Sequence, residues 1–346
     1  MNTKNFLGNL FKYRSISIIG MDKNSGKTTT LNYILENISS GKIIGLTSIG
    51  RDGEDKDRVT NTHKPRIYIK RGTIIATSKN LLNKCDITKE ILATTGISTP
   101  LGEIIIVRAL SDGYVDIAGP SFNSALKKVR DEMLNFGCDL VIIDGALSRK
   151  GSAGNTISDA TILATGASLS PNINKVVAES AHHIEMLQLP ETTPTIKKLS
   201  LDILSKGKIG FINKGGEVEI LNLPTSLNSY RKIIDKMKPT YTHLVLGGAV
   251  SQGLIEAIIQ NRIIFKNIEL VVEDGTKIFI NASIYEKLAL IPVKIKVLNK
   301  IKLLGITCNP SSPHGYSFQG EEFKEMLQKQ TNLEVIDVVG DLGGKL

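Results

Sequence analysis

The 346-residue chain has no Trp, 5% aromatic residues, 3 Cys and 5 His. Cys85, Cys138 and Cys308 stand far apart, with no CxxC pair and no His at ligand spacing. That pattern excludes a disulfide framework and a Cys/His zinc module, and it fits thiols kept reduced in a cytoplasm. Long apolar stretches are missing too: the β-branched runs are about four to six residues, where a membrane-spanning helix needs about 20. The opening residues, MNTKNFLGNLFKYR, lack an apolar segment of about 7 to 15 residues and do not read as a secretory signal. No block of like charge occurs either. The formal charge of +9, from 43 Lys and Arg against 34 Asp and Glu, is dispersed. Without a basic stripe interleaved with aromatics, it argues against a nucleic-acid partner.

What is present is a globular composition, 41% hydrophobic with 31 Gly, at a length that predicts two domains. Phe6, Leu7, Leu10 and Phe11 recur at helical spacing, as in a short helix packed on a core. From residue 15 short β-branched runs alternate with helical stretches. Strands are expected at 15–20, 42–49, 102–110, 139–143 and 160–164, with helices at 26–38, 87–95, 122–136 and 174–189. Such alternation predicts an α/β fold: a parallel sheet with helices on both faces. PETTPT at 190–195 interrupts the pattern, and 208–221 reads as a hairpin around an Asn-Lys-Gly-Gly turn. The expected domains are therefore 1–195 and a second, smaller α/β domain over 205–346.

The strongest local signal is SISIIGMDKNSGKTTTL, residues 15–31: a buried strand, a polar loop, then Lys27 and Thr28 opening a helix. This is the context of a phosphate-binding P-loop, whose backbone N–H groups and helix dipole favour a bound anion. Gly20, Lys23, Asn24, Ser25, Gly26, Lys27, Thr28 and Thr29 are the candidate nucleotide-binding residues. Lys27 would bridge the β- and γ-phosphates, and the Thr28 hydroxyl would coordinate Mg²⁺. Five residues separate Gly20 from Gly26, one more than usual. That spacing looks like the dethiobiotin synthetase type of loop, while KNSGKTT resembles the molybdopterin-guanine dinucleotide accessory proteins.

A second acid for the Mg²⁺ shell is expected at Asp144, which ends the apolar run of CDLVIIDGA. Asp52, at the end of the second strand, is a further metal candidate. Asp55 and Asp57 read equally well as a solvated loop, and Arg51 is an undecided phosphate contact. The loops 110–121 and 144–154 follow strands that should end around the nucleotide, with Ser148, Arg149 and Lys150 placed to meet a γ-phosphate or an acidic substrate. Asn83-Lys84-Cys85-Asp86 satisfies the guanine-reading pattern NKxD but precedes the Asp144 strand, the wrong order for a GTPase. ATP is thus the base choice by elimination. His182 and His183 read as an ordinary helical pair, since no third ligand lies at helical spacing. The segments 247–253 and 308–318 are candidate ligand or partner loops, and His314 lacks a visible acid partner.

Taken together, GMDKNSGKTTTLNYIL, GLTSIGRDGED, DITKEIL, TPLGEIIIVRALSDGYVDIAGPS and the late NPSSPHGYSF resemble the KamB family, the P-loop subunit of lysine 5,6-aminomutase reactivases. The resemblance runs over most of the chain. It implies a P-loop NTPase-type fold with Gly26, Lys27 and Thr28 in the family's nucleotide motif. It also implies a MutS-like ATPase and lysine 5,6-aminomutase as protein partners, and an ATP-driven conformational change that lets damaged adenosylcobalamin leave. Two alternatives stay open: a small-molecule ligase or kinase of the dethiobiotin synthetase type, and a nucleotide-bound scaffold without significant turnover.

Overall fold

A computed structural model describes residues 3–38, 41–50, 66–145, 157–206, 209–223 and 229–340. The described residues form two compact units, one of those up to 145 with 157–181 and 302–340, the other of those between 182 and 301.

The first unit opens with α1 (Thr3–Leu10), β1 (Ser15–Gly20), α2 (Lys27–Asn37) and β2 (Ile44–Ser48). It continues with β3 (Ile67–Ile69), β4 (Ile74–Ser78), α3 (Lys79–Leu82), β5 (Lys89–Thr99), β6 (Gly102–Ala109) and β7 (Gly113–Val115). Then come α4 (Asn123–Asn135), β8 (Leu140–Asp144) and β9 (Ala160–Gly166), and α5 (Ile173–Leu187) carries the chain into the second unit. That unit contains α6 (Pro194–Ser205), β10 (Ile209–Asn213), β11 (Val218–Leu221), α7 (Tyr230–Lys236), β12 (Tyr241–Val245), β13 (Val250–Ser251) and α8 (Gln252–Gln260). It ends with β14 (Glu269–Val272), β15 (Ile278–Phe279), α9 (Ala282–Ala289) and β16 (Lys294–Val297). The chain then returns to the first unit as β17 (Leu303–Asn309), α10 (Gly320–Gln328) and β18 (Glu334–Asp337).

The fold is α/β, built on a nine-stranded sheet of order β18-β17-β9-β1-β8-β2-β4-β6-β5. Seven strands from β18 to β4 run parallel; β6 and β5 complete one edge antiparallel. Both faces are covered, so the central strands β1, β2, β8 and β9 are buried along nearly their whole length. Leu140 and Ile142 of β8 join the core that includes Leu31 and Ile34 of α2. Val141 and Ile143, pointing the other way, join the core that includes Leu126, Val129 and Met133 of α4. Phe6, Leu7 and Leu10 of α1 are buried, as their spacing predicts.

Three expectations are corrected. The sheet is mixed rather than parallel. Its antiparallel edge includes β5, over much of the segment 87–95 where a helix is expected; Ile91, Ala93 and Thr94 pair with Val107, Ile106 and Ile105 of β6, and the cross-strand partner decides the structure. Residues 302–340 do not belong with the segment before them: β17 pairs with β9 from Leu303 to Asn309, inside the first unit. A buried strand carries no mark of which sheet it joins.

The second unit has a five-stranded sheet of order β11-β10-β12-β14-β16, with β12, β14 and β16 parallel and the β10–β11 hairpin antiparallel. Asn213 makes the expected turn, its Oδ1 accepting from the N–H groups of Gly215 and Glu217. Among the described residues no helix is long and apolar enough to cross a membrane.

In this unit His182 Nε2 lies 2.8 Å from the Ile280 carbonyl oxygen. Burial, reinforced by the neighbouring His182, pushes the His183 imidazole down to about 4. A histidine neutral in the folded state and titrating near 6.5 when unfolded binds more protons unfolded between those values, so stability is full above pH 6.5 and falls as pH drops toward 4. His183→Gln should remove most of that acid sensitivity, about 3 kcal/mol between pH 7 and pH 4. Urea midpoints of both proteins measured from pH 7 to pH 4 would test this, and parallel curves would refute it.

Candidate phosphate-binding site

β1 is held between β8 and β9, and its last residue, Gly20, pairs with Ala164. The chain then turns through Met21–Gly26, anchored where the Met21 N–H donates to the Ala164 carbonyl at 3.1 Å. Two residues of the turn take left-handed backbone, Asn24 at φ 59° and Gly26 at φ 93°. Asn is the non-glycine type best suited to that region, and Gly26 enters α2 from it. The first bond of the helix runs from the Thr30 N–H to the Gly26 carbonyl at 2.8 Å. The amides of Lys27, Thr28 and Thr29 therefore precede the helical ladder at the positive end of the helix, and its N-cap residue, Gly26, has no side chain to cap them.

Side chains close the loop from inside. Ser25 is fully buried, and its hydroxyl donates to the Asp22 carbonyl at 2.9 Å. Lys27 Nζ donates to the same oxygen at 3.0 Å. A Cβ at Gly20 would lie 2.2 Å from Ser25 Oγ and 2.7 Å from Lys27 Nζ, so the ammonium fits over the loop only because residue 20 has no side chain. Burial lowers the Lys27 pKa, opposed by the negative charges of Asp144 and Asp22.

Asp144 reaches the site because β8 lies beside β1, with Ile18 opposite Asp144 in the ladder. Its carbonyl accepts from the Ile49 N–H at 3.0 Å, and Gly145 turns away at φ 124°. Gly20, Ser25, Gly26, Lys27, Thr28, Thr29 and Asp144 are thus brought to one sheet edge. Lys23 and Asn24 lie exposed on the crest of the loop. Hard oxygen donors suit Mg²⁺, and Thr28 with Asp144 could supply two of them. Asp52, Arg51, Asp55, Asp57, Ser148, Arg149 and Lys150 lie outside the described residues.

The 110–121 segment also reaches this edge, locked against β2 and β4. Ala118 accepts from the Ser78 N–H at 3.1 Å, Gly119 N–H donates to Ser48 Oγ at 3.1 Å, and Pro120 accepts from the Gly50 N–H at 3.1 Å. A Cβ on Gly119 would stand 1.7 Å from the Ser48 carbonyl oxygen. By contrast Asp86 of the NKxD lookalike is held on the surface by Arg66 at 2.7 Å.

The 308–318 segment, expected as a ligand or partner loop of the second domain, brings one of its residues to this site. Asn309, the last residue of β17, packs on the phosphate loop: a Cβ on Gly26 would lie 2.8 Å from Asn309 Cβ, and one on Gly166 would lie 2.8 Å from the Asn309 carbonyl oxygen. The segment NPSSPHGYSF had marked a candidate loop, but in the other domain. It is tied down here by Tyr316, whose hydroxyl donates to the Ala167 carbonyl at 2.6 Å. His314 is exposed.

Compared with protein-family models, curated proteins and solved structures, the chain matches none of them.

Proposed function

We propose that the chain binds Mg-ATP through residues 20–29 and acts as the ATP-binding subunit of a reactivating factor for adenosylcobalamin-dependent lysine 5,6-aminomutase. The observation that carries the nucleotide reading is the enclosure of the Lys27 ammonium over a loop of helix-terminal amides beside Asp144. A cation partly withdrawn from water beside the first amides of a helix suits a bound anion. On this reading the nine-stranded sheet is a P-loop NTPase-type core, and residues 182–301 form a smaller α/β domain suited to docking partners. The loop amides and Lys27 hold the phosphates, while Thr28 and Asp144 hold Mg²⁺. Bound there, the metal supplies charge neutralisation at the phosphate oxygens. The reactivase assignment draws on the sequence segments that resemble that family.

The test is recovery of lysine 5,6-aminomutase inactivated by damaged cobalamin, in the presence of this protein, a MutS-like ATPase and Mg-ATP. Recovery that needs all three is expected, with basal ATP hydrolysis low and raised by the partners. Recovery equally complete without this protein would reject the reactivase role. An ATP-dependent small-molecule product formed with no protein partner would favour the ligase reading, for which the 116–120 loop at the ends of β2 and β4 offers a second-substrate edge.

A further inference from the structure

β17 meets the start of α2 at two points. Thr307 and Asn309, two apart on the strand, present side chains to the same face of the sheet. Gly26 and Thr30, four apart, lie on the same face of the helix start. Thr307 Oγ1 and Thr30 Oγ1 are buried and 2.7 Å apart. At the other point the Cβ, Nδ2 and Cγ atoms of Asn309 lie 2.8, 3.4 and 3.6 Å from where a Gly26 Cβ would be. The Asn309 side chain is itself fixed, its Oδ1 accepting from the Ser311 N–H at 2.9 Å in an Asx turn.

We infer that Asn309 is a positioning residue of the phosphate loop: pinned by Ser311, it buttresses Gly26 in its left-handed conformation and so aims the amides that follow at one anion. This deepens the phosphate-binding reading and rests on it. A non-helical turn entering a helix has alternative backbone states, and a rigid neighbour that fits only one of them lowers the cost of ordering when the ligand arrives. The role concerns the phosphates, not the base, and this sets the experiment.

Binding of ATP and of inorganic tripolyphosphate should be measured by calorimetry on the full-length wild type, on Asn309→Ala and on Thr307→Val. Asn309→Ala is expected to weaken both ligands by the same factor, about tenfold. Thr307→Val, near-isosteric and remote from any ligand, is expected to weaken both by a smaller common factor. Loss of ATP affinity with tripolyphosphate binding unchanged would overturn the inference, since Asn309 would then act through the base. So would unchanged affinity for both ligands in both variants. Failure of the wild type to bind either ligand would instead reject the phosphate-binding reading itself.

Discussion

Lys27→Ala is expected to lower ATP affinity by about a hundredfold, equivalent to about 2.7 kcal/mol, while leaving the protein at least as stable as the wild type. The two halves of that result have one cause. In the free protein the Lys27 side chain is half-buried, and burial outweighs the help it receives from Asp144 and Asp22, so its pKa is lowered. A lysine whose charged form is disfavoured by folding subtracts from stability at neutral pH, where it is protonated in both states. Removing it relieves that penalty and forfeits the hydrogen bond to the Asp22 carbonyl, a smaller loss of about 1 kcal/mol. On the proposed reading the charge serves the phosphates rather than the fold. Calorimetry with Mg-ATP and a thermal melt of each protein separate the effects: undiminished affinity would show that the phosphates bind elsewhere, and a large drop in melting temperature would show that Lys27 is structural.

Gly119→Ala is expected to have the largest effect on the fold, about 3 kcal/mol or more of destabilisation. The added methyl carbon would stand 1.7 Å from the Ser48 carbonyl oxygen and 2.9 Å from its carbonyl carbon. Neither is the free end of a flexible side chain. Both are backbone at the end of β2, so relief requires separating the 116–120 loop from the strand and breaking the bonds at Ser48, Gly50 and Ser78. Gly137→Ala is the natural control: it sits at φ 94° with nothing within 4 Å of an added Cβ, so it carries conformational strain without collision. That strain is about 1 kcal/mol. Urea unfolding of both variants should show a loss at 119 well above that at 137. Equal losses would mean that the loop is loosely seated on β2.

The parts of the site legible in the sequence are those that lie close together along the chain. Strand, turn, Gly26, Lys27 and Thr28 fall within one short stretch, and their chemistry depends on local geometry that residue types alone constrain. Asp144 was legible for a related reason: an apolar run ending in Asp-Gly has a definite exit at a sheet edge. Asn309 was not, because its role is created by β17 sliding in beside β9, a pairing between distant segments that no local pattern encodes. The helix expected over 87–95 failed in the same way. The partner that decides its structure, β6, lies outside that stretch of the sequence.

The return of the chain to the first sheet also bears on how the protein is made. A ribosome completes β9 and then all of residues 182–301 before it reaches β17. Those 120 intervening residues take roughly 6 to 24 s at about 5 to 20 residues per second. Throughout that interval one edge of β9 has no β17 to pair with, and the nascent phosphate loop lacks Asn309. The exposed edge is a point of aggregation risk during synthesis, and the loop that we propose for phosphate binding gains its Asn309 neighbour only when the last strands are out.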